Sequence, residues 1–394
     1  MSSMLRPIVL LTLCVAGAAQ EIAVEDPAKV LATRVKDGDA AYLKGEYDAA
    51  LQAFTSAWEL VQSTPKENPQ RYDVLKRLAN VRAAAGEFKD ADEWLQQAIN
   101  WRENTLGQRD PKIADDLLVS VGYCRGMKDF DRAMAILRRV QSLHVAIYTF
   151  DSSFVADDFH RMAQVYMEQK KPEPAINSLN TALAIRTRMA GPLDPSLVPD
   201  LDRLGELYTL QRQYDDAIKA FRQNLVIRET LYGKVHADLI STVDGLAYAL
   251  FGAQRYDDAE PVYKRLIGLW EATVGKEHPM IAVALDKVAV FYSAQKKVAE
   301  THEALERSTA VRARFHAMGL SQQATQAFTE QQLDQAKGFY KQAVTTLDPP
   351  GPMNEELRGQ FEAMLKALEA PLPKGTAPPK KSAAPVKKTE PSKK

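Results

Sequence analysis

The chain has 394 residues, 45% apolar and 26% charged, with 51 basic and 51 acidic side chains. Those figures exclude a collagen, a wholly disordered chain and a multi-span membrane protein. The zero net charge is unevenly spread: residues 371 to 394 hold seven Lys and one Glu, which leaves the body from 21 to 370 acidic by about seven charges, a balance that argues against a body built to hold nucleic acid.

At the start, a polar stretch with Arg6 precedes an apolar run from Ile8 to Val15 and then Ala16, Gly17, Ala18 and Ala19. This order predicts a secretory signal over residues 1–19, cleaved after Ala18 or Ala19, in a protein exported by a bacterium to the periplasm or beyond. The run is too short to span a bilayer. Leu13 stands before Cys14 where a lipid-attachment signal takes a small residue, so lipidation is not expected. Removal of the signal leaves Cys124 as the only thiol, and a solitary Cys forms no internal disulfide.

After a short linker over residues 20–30, a period governs residues 31–318. A small residue recurs at Ala50, Ala91, Ala133, Ala175, Ala217, Ala259 and Thr301, spaced by 41 and then five times by 42. A fixed period in this range signals stacked supersecondary units. Three residues earlier stand Tyr47, Phe88, Phe130, Tyr214 and Tyr256, with Pro172 and Val298 as exceptions. One helical turn later stand Phe54, Leu95, Leu137, Leu179, Phe221, Tyr263 and Leu305 on the same face. Upstream, a first helix carries Leu78–Ala79, Met162–Ala163, Leu204–Gly205, Leu246–Ala247 and Val288–Ala289, so each unit predicts an antiparallel helix pair packed large into small. The third unit departs from this with Ser120 and Val121.

The boundaries have their own chemistry. Asp48, Asp131, Asp215 and Asp257 fall where the second helix opens and are expected to cap it. Gly107, Gly191, Gly233 and Gly275 fall where it should stop. Asp110–Pro111, Asp194–Pro195 and His278–Pro279 then restart the next first helix. Residues 319–370 predict a shortened eighth unit with Ala336, Tyr340 and Ala343, followed after a Pro-rich break by a capping helix. Residues 371–394 lack apolar periodicity and predict a disordered Lys/Pro/Ala-rich tail.

The pattern resembles the tetratricopeptide repeat, and its 42-residue form is similar to the repeats of kinesin light chains. Leu204, Gly205, Tyr208, Tyr214, Ala217 and Phe221 carry the likeness in one unit, Leu246, Ala247, Tyr256, Ala259 and Tyr263 in the next, joined by Leu231, Tyr232, Gly233 and His236. A cytosolic motor subunit would not carry a secretory start, so the resemblance is to the repeat rather than to the motor protein. It implies an all-α solenoid, a right-handed superhelix of about seven antiparallel pairs, whose groove lined by first helices binds peptides or proteins.

Through that resemblance the fifth position of the first helix faces the groove, and here it is Asp202, Asp244 and Asp286, each 42 residues from the next. Glu206, Tyr248 and Phe251 neighbour this ladder, and His160 and Gln164 hold corresponding places one unit earlier. Such a surface suits a basic or amide-rich peptide, while the same aspartates also lie near helix starts, where the dipole favours them without any partner. The Lys-rich tail itself, in cis or from a second copy, is a candidate occupant.

No catalytic, cofactor-binding or metal-binding residue is assigned. The histidines at 144, 160, 236, 278, 302 and 316 lack the spacing of a zinc site, and His236 and His278, 42 apart, read as one connector position used twice for capping. No phosphate-binding glycine loop or nucleophile elbow occurs, and Cys124 falls where a small core residue is expected. The expectation is a noncatalytic scaffold for a protein or peptide partner. The competing readings are an envelope-assembly or secretion accessory whose tail touches an anionic membrane or wall polymer, and an enzyme or ligand sensor with a site built in the groove.

Overall fold

The computed structural model describes residues 26–348 and 354–369. The expected signal and basic tail lie outside them. Among the described residues the regular structure is helical throughout, in the order α1 (Pro27–Leu43), α2 (Tyr47–Gln62), α3 (Gln70–Ala84), α4 (Phe88–Leu106), α5 (Pro111–Gly126), α6 (Phe130–Tyr148), α7 (Ser153–Glu168), α8 (Pro172–Ala190), α9 (Val198–Leu210), α10 (Tyr214–Tyr232), α11 (Ile240–Gly252), α12 (Tyr256–Val274), α13 (Pro279–Ala294), α14 (Val298–Thr329), α15 (Leu333–Thr346) and α16 (Glu355–Glu369). Odd-numbered helices up to α13 are the first helices of the pairs. The chain forms two compact units that divide within α8, between Ser178 and Leu179.

Four first-helix starts follow their sequence signal. The Asp110 carboxylate accepts from the Lys112 N–H at 2.9 Å with Pro111 at the first helical position. Asp194 does the same for Ser196, and Nδ1 of His236 and of His278 accepts from Asp238 and Met280, each at 3.2 Å. The second helices open differently. Glu46, Gln213 and Arg255 cap α2, α10 and α12 without a side-chain bond, and Asp48, Asp215 and Asp257 sit inside the first turn. At α6 the cap is Asp129, with Asp131 in the first turn. These four aspartates therefore meet the positive end of the dipole instead of capping as expected.

Helix ends repeat the period in the backbone. Gly107, Gly191, Gly233 and Gly275 terminate second helices at positive φ, and Thr149 takes that conformation after α6. Each first helix ends before a left-handed residue, at Gly45, Gly86, Lys128, Lys170, Arg212, Gln254 and Lys296. The tight turn into the second helix requires this geometry even from non-glycine residues.

The predicted small residues Ala50, Ala91, Ala133, Ala175, Ala217 and Ala259 are fully buried. The close approach they permit is clearest at Phe221, whose ring sits so near Gly205 and Gly245 that a Cβ on either would lie 2.5 Å from it. The irregular third unit is compensated: Ser120 donates to the buried Asp92 carboxylate, which Arg132 also engages. The seventh unit departs from expectation. Thr301 is half-buried and turns its hydroxyl to the Lys297 carbonyl at 2.7 Å, and Leu305 is exposed while Ala304 packs inward.

The cause lies in α14, a single 32-residue helix. Its first half pairs with α13 and its second half with α15, so the boundary expected at residue 318 falls inside a continuous helix. Tyr340 and Ala343 of α15 pack on Ala317, Leu320 and Ala324, Phe361 of α16 closes that cluster, and Ala336 is fully buried. Fusing the connector shortens the interval from Thr301 to Ala336 to 35 residues.

Candidate interaction surface

In the second unit, α9, α11 and α13 carry the three ladder aspartates, and each has a cationic partner. Asp202 accepts from Nη2 of Arg228 and Nδ2 of Asn224, both at 2.6 Å. Both carboxylate oxygens of Asp244 lie within 2.7 Å of the Lys287 ammonium on α13. Asp286 accepts from the Ser308 hydroxyl at 2.5 Å and from the Arg312 guanidinium. Arg312 holds the Asp286 carboxyl below its ordinary range, with burial opposing and Ser308 assisting. The ladder is therefore not a bare acidic wall, and a basic ligand would compete with three pairs already made.

Glu206 is exposed and paired with Arg203 on its own helix at 2.8 Å. Tyr248 stands 54% exposed. Phe251 is half-buried, its ring 6.0 Å from Phe291 and so partly committed to the core. His160 and Gln164 lie on α7 in the first unit, half-buried and one turn apart.

Sequence reasoning missed the residues that complete this face. The Asp244–Lys287 pair links α11 to α13. One turn from it on α11 is Tyr248, and one turn to either side on α13 are Val283 and Val290, 40% and 60% exposed. Val290 stands in the same repeat place as Tyr248, 42 residues on, a signal present in the sequence.

A second periodic series was also legible and missed. Asp116, Asp158 and Asp200 recur at intervals of 42 on α5, α7 and α9, two residues before the repeat place of Asp202, and all are buried. Each meets a base fourteen residues upstream. Arg102 Nε lies 3.4 Å from Asp116, Nδ1 of His144 lies 2.7 Å from Asp158, and the Arg186 guanidinium donates to Asp200. Asp116 is further held by the Tyr72 hydroxyl at 2.9 Å and Lys76 at 2.8 Å. Beside that network, α1 and α3 enclose an open cleft of about 420 Å³ bordered by Asp39, Tyr42, Lys76 and Arg77, where Arg77 pairs with Asp39.

Among the described residues no cluster of three His, Cys, Asp or Glu could hold a metal ion, and no helix is long and apolar enough to cross a membrane. Cys124 is fully buried, and burial pushes its thiol pKa up.

Successive antiparallel helix pairs with a fixed offset and small residues at the crossing points define a helical-repeat solenoid. Tetratricopeptide-repeat models match residues 196–267 and 238–314, and another matches 41–109. The chain is a tetratricopeptide-repeat protein. The C-terminal part of a repeat-containing protein from Cytophaga hutchinsonii shares the fold at TM-score 0.50 with 14% identity, over 70% of this chain and 93% of that one. The BtubC (BKLC) protein of P. vanneervenii is similar at TM-score 0.45 and 20% identity, over 63% of this chain and 92% of that one. A kinesin-light-chain protein of Podosopora anserina is similar at 0.38 and 18% identity, over 63% and 98%. Among curated proteins, none matches the sequence.

Proposed function

We propose that the chain is a noncatalytic scaffold that binds a protein partner along the face of α9, α11 and α13. The observation that carries this reading is the group of Tyr248, Val283 and Val290 around the Asp244–Lys287 bridge, three solvent-facing apolar side chains beside a pair that needs no ligand to be satisfied. Apolar anchors rimmed by compensated charge gather binding energy from desolvation, with polar groups setting register. This shifts the expected ligand from a basic or amide-rich peptide to a segment with an apolar face. The cis docking of the tail on the aspartate ladder loses its electrostatic motive for the same reason.

Peptides selected from an unbiased display library on the full chain test the reading when rebound to a Tyr248→Ala, Val290→Ser double variant that melts as the parent does. Affinity is expected to fall about tenfold or more; equal affinity overturns the reading. Export is a separate proposal resting on Met1 to Ala19. N-terminal sequencing of protein recovered from a bacterial envelope should begin at Ala19 or Gln20, and an intact Met1 removes it. The seven lysines beyond Pro371 support a second role, contact with an anionic membrane or wall polymer. Retention on anionic vesicles that survives deletion of residues 371–394 would refute that role.

A further inference from the structure

The buried base–aspartate series of α4 to α9 is chemically uneven. At the α4–α5 and α8–α9 junctions the base is arginine, charged at every accessible pH. At the α6–α7 junction the same repeat place holds His144. His144 and Asp158 are both buried, at 5% and 0% exposure, and joined across 2.7 Å. The second carboxylate oxygen of Asp158 is buried without a hydrogen bond. A buried carboxylate with one lone oxygen is costly to keep ionised and is eased by a proton on the pair.

Among the described residues His144, Arg161 and Asp157 act on the Asp158 charge. His144 faces it from α6. On α7 itself Arg161 stands 3.9 Å from Oδ1, and Asp157 adjoins it in sequence and opposes ionisation. Asp116, the equivalent place on α5, is already matched by Lys76 and Arg102. The charges at the α7–α8 turn, Glu168, Lys170, Lys171 and Glu173, begin ten residues further along, about 15 Å by helix rise. Burial is the leading cause, and it pushes the Asp158 carboxyl up to about 6, against the pull of His144 and Arg161.

Above the pair lies an unusual connector. The first residue after α6 is Thr149 at φ 77°, where four other second helices use glycine. Tyr148 and Phe154 stack at 4.2 Å across this connector, and the Phe154 ring is 5.3 Å from His144. Phe150 and Phe154 are 46% and 44% exposed, so an aromatic cluster rests directly on the histidine.

We propose that the α6–α7 junction is a proton-operated latch, held shut while the Asp158 carboxyl facing His144 keeps its proton and loosened when that proton leaves, with the Tyr148–Phe154 stack as the part that moves. Loss of the Asp158 proton leaves one buried negative charge whose second oxygen has no hydrogen-bond donor. The sign follows from linkage: a carboxyl whose folded pKa lies above its ordinary value stabilises the folded state below that ordinary value and loses the contribution as pH rises through the folded one. A rise from 3.8 to about 6 corresponds to a change of roughly a hundredfold in the local closing equilibrium between pH 4 and pH 7.

Hydrogen exchange of the full chain, with labelling times scaled to the intrinsic amide rates at pH 5 and pH 7.5, reads this directly. Peptides covering residues 144–160 should lose protection at pH 7.5 by at least tenfold more than peptides from the α4–α5 junction. His144→Arg, which copies the neighbouring junctions, and Asp158→Asn, which removes the titrating group at constant shape, should both abolish that difference. A pH effect at residues 144–160 that persists in a folded Asp158→Asn protein, or one equal to that at the α4–α5 junction in the parent, overturns the proposal.

Discussion

Arg102 and Arg312 occupy the same place in the repeat, 210 residues apart, and they use it in opposite directions. Arg102 reaches forward to Asp116 on the next first helix, where the carboxylate side chain is 1% exposed. Arg312 reaches back to Asp286 on the first helix of its own pair, where the carboxylate side chain is 40% exposed. The difference comes from moving the acid by two positions along the first helix, from the repeat place of Asp200, third in α9, to that of Asp202, fifth in α9. At the first of these places it faces the packed joint, and at the second it faces solvent beside the apolar anchors. One device thus serves two ends: a buried pair that ties adjacent units, and a surface pair that sets the character of a face.

The comparison breaks most visibly at the buried end. Replacing Asp116 by Ala removes the buried acceptor shared by Tyr72, Lys76 and Arg102, leaving Arg102 on Asp110 alone, and should cost about 3 to 5 kcal/mol of first-unit stability, read as a shift in urea unfolding followed by Trp58, Trp94 and Trp101 fluorescence. A loss under about 1 kcal/mol, the level of exposed pairs, would mean that the buried joint behaves like the surface one.

Titration sharpens it next, because the two kinds of carboxylate respond with opposite sign. Asp158, raised to about 6, should withdraw about 3 kcal/mol from the first unit as pH climbs from 4 to beyond 6. Asp286, lowered chiefly by Arg312, contributes above the ordinary carboxylate range and loses its contribution as pH falls through its own depressed value. Exchange profiles resolved by unit should therefore slope down toward neutrality in α6–α7 and down toward acid in α13–α14.

Packing gives a smaller effect that ignores charge. Ala217→Phe should overpack the α9–α10 crossing and cost about 1 to 3 kcal/mol, seen as a lower melting temperature. The surface end yields least: Asp244→Lys removes a half-exposed pair worth under about 1 kcal/mol and should leave circular dichroism unchanged while altering which peptides bind. Equal loss of helicity and binding would show that the surface pair ties the units after all.

Much of the architecture was legible because the period acts on every unit at once. Ala50 through Ala259 announced the crossing points, Gly107 through Gly275 the helix ends, and His236 and His278 the caps. The failures were local. Leu305 matches Phe54 in spacing yet faces solvent, because α14 continues without a connector and packs a different side inward. Asp48 and its equivalents sit two residues past the cap they were expected to be.

The site was legible as a set of positions and not as a set of charges. A spacing of 42 establishes that Asp202, Asp244 and Asp286 share a place in the repeat, and the same arithmetic held Asp116, Asp158 and Asp200 in view. Helix period and residue size are properties of the chain taken a turn at a time, so the sequence alone determined the repeat, its core alanines and its terminators. Which carboxylate is sealed in a joint, which base reaches it and from which side depend on distances of about 3 Å between helices far apart in sequence, and those only the packed structure decided.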